Sequence, residues 1–149
     1  MHNGPANMYR KILVPLEHSA ADETILSHVT ALAHDMNSHV ILIHVADGFA
    51  ARHQEDLNLA ESQEMREDRQ YLERRREELA SRGLNVELLL ACGDPTDEIV
   101  KAAERHGCDL IAMSTHGHRF IKDFVLGSVA SGVRHRTDIP VLLIRARGA

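Results

Sequence analysis

With 149 residues, 44% hydrophobic and 26% charged, the chain has the size and balance of one globular domain built on one core. A formal net charge of −5 excludes nucleic-acid binders that work by neutralising phosphates with a basic face. No apolar run approaches the roughly 18 residues needed to span a bilayer, and the opening MHNGPANMYRK lacks the apolar stretch of a secretory signal. Residues 1–8 therefore read as a disordered lead-in to a domain over 9–149, and the expected compartment is the cytoplasm.

In chain order, KILVP (11–15) is the first short apolar run and predicts a strand, with VPLEHS at its carboxyl end. From Ser19 a helical pattern follows, with Ala21, Ile25, Val29, Leu32 and Met36 on one stripe and Leu26 and Ala33 beside it. Ser19 and Asp22, three residues apart, have the form of a capping box. HVILIHV (39–45) predicts the second strand. Residues 52–82 are dense in Glu and Arg, with Met65, Leu72 and Leu79 spaced by sevens, and read as a long helix with one narrow buried stripe and a solvated face. NVELLL (85–90) predicts strand three. In GDPTDEIVKAAERHG, Asp94 is placed to cap a helix, Pro95 to begin it and Gly107 to end it. DLIAM (109–113) predicts strand four, a helix begins near Gly127, and IPVLLI (139–144) predicts strand five.

Continuous apolar runs, rather than alternating ones, are what strands covered on both faces require, and they point to a parallel sheet. The order βαβαβαβαβ with right-handed crossovers gives an open sheet with helices on both faces. Ligands in such sheets lie beyond the carboxyl ends of the strands, where the strand order reverses. Cys92 and Cys108 match no disulfide or metal spacing and read as buried thiols. The eleven histidines are scattered; His116 and His118 are the close pair, and no HExxH or Cys/His cluster predicts a metal centre.

The stretch STHGHRFIKDFVLGSV (114–129) holds Gly117 and Gly127 ten positions apart, with His118, Arg119 and Lys122 between them and Ser128 after the second glycine. Backbone N–H groups at a helix start, approached closely through glycine and balanced by cationic side chains, bind phosphate well. On these residues alone two readings stand: a phosphate cradle, or glycines that merely punctuate a strand end and a helix start. Gly132 within the final helix costs about 1 kcal/mol relative to alanine, which close packing would explain.

Over Tyr9 to Arg145 the chain resembles the universal stress proteins of the UspA superfamily. The stretches that carry the resemblance are YRKILVPLEHS, VILIHV, GDPTDEIVKAAERHGCDLIAMSTHG and GSVASGVRHRTDIPVLLIR. Nucleotide-binding members carry G-x2-G-x9-G-[ST]; here the pattern reads Ser114, Gly117, nine residues, then Gly127-Ser128. The resemblance implies an α/β fold of the adenine nucleotide alpha hydrolase-like type, a five-stranded parallel sheet of order 3-2-1-4-5 with strands one and four side by side. It implies ATP or AMP as ligand, with Mg2+ or Mn2+ as an accompanying ion. Pro15, Leu16 and Glu17 would then face ribose and adenine, and Val45 would meet the adenine edge through its backbone. Gly117 and His118, with Gly127, Ser128 and Val129, would hold the phosphates. Met113, Ser114 and Arg119 complete the set, with Ala130 at its margin.

Two departures bear on that site. Ser114 stands where the family has its first glycine and would narrow the pocket. Glu17 stands where family members usually carry Asp, an acid that serves ribose hydroxyls or a phosphate-bound metal, and it is one methylene longer. With no GxxxxGK[ST] and no general base paired with a nucleophile, slow ATP hydrolysis is the most that is expected of the chain as an enzyme. The reading is a nucleotide-dependent stress-response regulator or adaptor; the alternative is a nucleotide-free dimeric interaction protein. The resemblance and the apolar edge strand both imply a homodimer through Ile139, Val141, Leu142, Leu143 and Ile144.

Overall fold

A computed structural model describes residues 8–47, 58–116 and 124–146. The elements are β1 (Lys11–Pro15), α1 (Ala21–Met36), β2 (His39–Asp47), α2 (Asn58–Ala80), β3 (Asn85–Gly93), α3 (Pro95–Arg105), β4 (Leu110–His116), α4 (Phe124–Arg136) and β5 (Val141–Ala146). All strand pairs are parallel, and the sheet order is β3-β2-β1-β4-β5. Both features are as expected.

The uninterrupted apolar runs follow from two covered faces, because successive strand side chains point to opposite sides. Ile12, Val14, Leu16, Val40 and Leu42 pack under α1 and α2, against Ile25, Val29, Leu72 and Leu79. Leu13, Ile41, Ile43, Ile111 and Met113 pack under α3 and α4, against Ile99, Ala103, Val129 and Val133. Each such side chain stabilises the fold by about 1.5–3 kcal/mol, several times any single helix-propensity difference. Asp109 ties the amino ends of the central strands together: its carboxylate accepts from the N–H groups of Arg10 at 2.8 Å and Lys11 at 3.0 Å.

The helix ends follow the sequence in part. Asp94 caps α3 by accepting from Asp97 N–H at 3.0 Å, Pro95 opens the helix, and Gly107, with φ +65°, lies just past its end. The expected capping box at α1 is built differently. Ala20 is the cap residue and has no side-chain bond of that kind; Ser19 Oγ accepts from Ala21 N–H at 3.2 Å, and the Asp22 carboxylate reaches back into the preceding turn. Helix α4 begins at Phe124, three residues before the expected start near Gly127. Strand β5 begins at Val141, so Ile139 precedes it, packed partly buried under the α3/α4 face.

Gly132 is explained by packing. A Cβ built there would lie 3.0 Å from both Cγ2 and Oγ1 of Thr96, so α3 and α4 meet closely and a side chain there would have to push Thr96 aside. The cysteines depart from expectation in one case. Cys108 is buried but Cys92 is exposed, because it lies on an edge strand two residues past Leu90, the last residue of that strand face packed on the core. No helix among the described residues is long and apolar enough to cross a membrane.

Candidate functional site

Strand order reverses between β1 and β4, and there the sheet opens. Their register covers Ile12↔Leu110 and Leu13↔Ile111. Beyond it β1 stays with β2 as far as Pro15↔Ile43, extended by Leu16 N–H to the Ile43 carbonyl at 2.8 Å. Meanwhile β4 stays with β5 as far as His116↔Ala146. The two central strands part company at their carboxyl ends, which is where a ligand enters such a sheet.

The expected site residues divide by what they can present there. Pro15, Leu16, Met113, Val129 and Ala130 are buried. Glu17 and Val45 are part-exposed and Ser128 is exposed. Ser114 is buried, and its hydroxyl donates to the Ala21 carbonyl at 3.1 Å. It thus secures the first turn of α1 to β4, satisfying a polar group placed in an apolar strand. Gly127 is the fourth residue of α4, at the end of its first turn. Gly117, His118 and Arg119 lie outside the described residues, as do residues 1–7 of the lead-in expected over 1–8.

The helix starts differ in charge. The first turn of α1 carries Asp22 and Glu23, and that of α3 carries Asp97 and Glu98, whereas that of α4 carries no acid. Acidic side chains already complement the N-terminal dipole of α1 and α3.

The turn after β1 is held by residues that sequence reasoning missed. Asp22 is 1% exposed. One carboxylate oxygen accepts from Glu17 N–H at 3.1 Å; the other accepts from His18 N–H at 2.9 Å, Ser19 N–H at 3.3 Å and the Tyr71 hydroxyl at 2.6 Å. This fixes His18 in the left-handed region at φ 64°. It also orients Glu17, whose Oε1 accepts from Ser19 Oγ at 2.6 Å. The His18 ring stacks on Tyr71 with centroids 4.0 Å apart.

Helix α2 supplies the other half of this network. Its solvated face was expected, but its buried stripe is not purely apolar: Asp68, Tyr71 and Arg75 lie among Leu72 and Leu79. Asp68 faces His18 Nδ1 at 2.8 Å and His44 Nε2 at 3.3 Å. Arg75 Nε donates to the Tyr71 hydroxyl at 3.2 Å, and its terminal nitrogens pair with Glu78 and Glu23. Burial and the adjacent Asp22 carboxylate hold the Tyr71 phenol protonated far above its usual range, so it acts as a donor to Asp22. Burial works against the charge on Arg75, but its bonds to Tyr71, Glu78 and Glu23 outweigh that and bind its proton more tightly. The signal was present in the spacing, since Asp68 and Arg75 fall three residues after Met65 and Leu72 on the same helical stripe. Among the described residues, no three His, Cys, Asp or Glu side chains gather to hold a metal ion.

Comparison with known proteins agrees with this architecture. The model of the universal stress protein family matches residues 8–145. Universal stress protein MJ0577 of Methanocaldococcus jannaschii is 31% identical, over 95% of this chain and 98% of that protein. The solved structure of MJ0577 superposes with a TM-score of 0.84 at 34% identity, covering 95% of this chain and 99% of that one. Two more distant structures share the fold. One is the Archaeoglobus fulgidus universal stress protein in complex with dAMP, at 24% identity and TM-score 0.66, covering 92% and 98% of the two chains. The other is a universal stress protein in complex with cAMP, at 19% and 0.66, covering 94% and 99%. A five-stranded parallel sheet of order 3-2-1-4-5, with a family match over nearly the whole length, gives one conclusion: the chain belongs to the universal stress protein family.

Proposed function

We propose that this protein binds an adenine nucleotide, ATP or AMP, between the carboxyl ends of β1 and β4, and that occupancy alters a surface read by partners in a stress response. The observation that carries the reading is the parting of β1 from β4 after Leu13↔Ile111, at the point where strand order reverses. Adenosine would lie along the main chain of Pro15 and Leu16 and the end of β2 at Val45, with the Glu17 carboxylate turned to the ribose hydroxyls. The phosphates would meet the start of α4 at Gly127 and Ser128, with Gly117, His118 and Arg119 expected in the same set. A Mg2+ or Mn2+ ion would arrive with the phosphates. Two proteins of the same fold hold dAMP and cAMP, which fits a site built for adenosine monophosphate units. A cytoplasmic location and a homodimer paired through β5 complete the proposal; β5 is an edge strand, bonded to β4 on one side.

The test is direct. Protein purified from cells is denatured, and the supernatant is run on an ion-exchange column for nucleotide. AMP or ATP near one per chain, absent from Gly127→Val, is the expected result. No nucleotide, and no heat when AMP or ATP is titrated into the protein, would favour a nucleotide-free interaction protein.

A further inference from the structure

The two walls of the proposed adenosine site are joined by a side chain that the binding scheme above does not use. His44 sits on the α1/α2 side of β2, one residue before Val45. Its Nδ1 is 2.9 Å from the Leu16 carbonyl, and its Nε2 is 3.3 Å from Asp68 Oδ2 on α2. Carbonyl and carboxylate oxygens accept but do not donate. A neutral imidazole has one N–H and can serve one of them, leaving a lone pair against the other oxygen. Only the ring protonated on both nitrogens is attracted to both. His18 has no such conflict, since its Nδ1 alone faces Asp68, at Oδ1 and 2.8 Å.

The surroundings leave His44 as the group that must resolve the conflict. From α2 it meets Asp68, which is 7% exposed, with Tyr71 and Arg75 one and two turns further on. From the β1–α1 turn come His18 and Glu17, and from the first turn of α1 comes Asp22; Asp22 is engaged with backbone N–H groups and Glu17 with Ser19. From β3 the residue in register is Leu90, which brings no charge.

We propose that His44 is a positioning residue for the nucleotide, and that its protonation sets the affinity of the site, tighter in acid and weaker in alkali. The inference rests on nucleotide binding at this site. Leu16 directly precedes Glu17 on one wall, and Val45 directly follows His44 on the other. A doubly protonated ring clamps both walls to α2. A neutral ring must release Leu16 or turn from Asp68, and either movement disturbs the adenosine contacts. The same link makes α2 sensitive to whether the site is filled.

Adenosine is the decisive probe because it has no phosphate to titrate. Its dissociation constant is measured by calorimetry between about pH 6 and about pH 8.5, with AMP in parallel. One unit of coupling between ring protonation and binding corresponds to about tenfold in affinity, and a loss of that order is expected as the pH rises. In Asp68→Asn the carboxamide can donate to a neutral Nε2 while its oxygen still accepts from His18, so the profile should flatten. His44→Gln keeps a donor for the Leu16 carbonyl and removes the titration, and it should also give a flat profile. Wild type and both variants sharing one pH profile would overturn the role of His44 while leaving nucleotide binding intact. Failure of adenosine and AMP to bind at any pH would overturn the nucleotide reading itself. Independently of ligand, amide-exchange protection at Glu17 and His18, corrected for intrinsic rates, should fall with pH in wild type and hold in Asp68→Asn. Equal protection in the two proteins would refute the clamp.

Discussion

Replacing Asp22 with Asn keeps the size of the side chain and removes its capacity to accept four hydrogen bonds. If the amide nitrogen takes the place of Oδ1, only Glu17 N–H is left facing a donor; if it takes the place of Oδ2, His18 N–H, Ser19 N–H and the Tyr71 hydroxyl all are. The first arrangement wins. It leaves one N–H without its acceptor, at a cost of about 1–3 kcal/mol, and turns the bonds from His18 and Tyr71 from charge-assisted into neutral ones, at about 1 kcal/mol each. Relief from burying a charge offsets part of this. The net loss should be about 3 kcal/mol, a large share of the roughly 5–15 kcal/mol that holds a domain together. In a chain of this length that lowers Tm by roughly 10 °C. Urea unfolding followed by circular dichroism measures it, with Tyr71→Phe as the partner variant. Tyr71→Phe alone removes one charged bond and should cost about 1.5–3 kcal/mol, and the double variant should fall short of the sum. A loss below about 1 kcal/mol for Asp22→Asn, outside the range for such bonds, would show that Asp22 does not organise the turn.

Gly132→Ala adds a methyl 3.0 Å from Thr96 and should destabilise the protein despite alanine's helix propensity. In a Thr96→Ala background the same change should be neutral or stabilising by up to about 1 kcal/mol, and a loss in both backgrounds would contradict the packing account. Thiol labelling of the native protein near neutral pH should modify Cys92, which is exposed, and spare Cys108, whose thiol burial pushes up to about 11; mass spectrometry after digestion identifies the site, and rapid labelling of both would be the adverse result. Light scattering coupled to gel filtration should give twice the mass of one chain, falling to a single chain in Val141→Lys, because a charge on an edge strand opposes pairing. A monomeric wild type would remove the proposed β5 interface.

The strands were legible because a sheet covered on both faces demands unbroken apolar runs, and KILVP or DLIAM can serve little else. Asp94, Pro95 and Gly107 were legible for a related reason: their roles are local and follow from the backbone of one helix end. Long-range polar pairing was not legible. Asp22 meets Tyr71 forty-nine residues away and His18 meets Asp68 fifty residues away, and no period in the sequence encodes those meetings. Asp22 invited a capping interpretation, which is consistent with its own helix taken alone. Ser114 is intermediate: a hydroxyl inside an apolar strand needs a partner, but only the packing of α1 over β4 supplies the Ala21 carbonyl. The start of α4 was misplaced by the weight given to Gly127 as a helix opener, whereas Phe124 to Leu126 are already helical.

The central claim is that adenine nucleotide enters where β1 and β4 separate. Backbone amide shifts recorded by NMR during titration with AMP test it residue by residue. Large changes at Leu16, Glu17, Val45 and Ser128, with none at Asn37, Arg82 and Asn85 at the opposite ends of the strands, are the predicted result. Changes confined to that opposite end would contradict it.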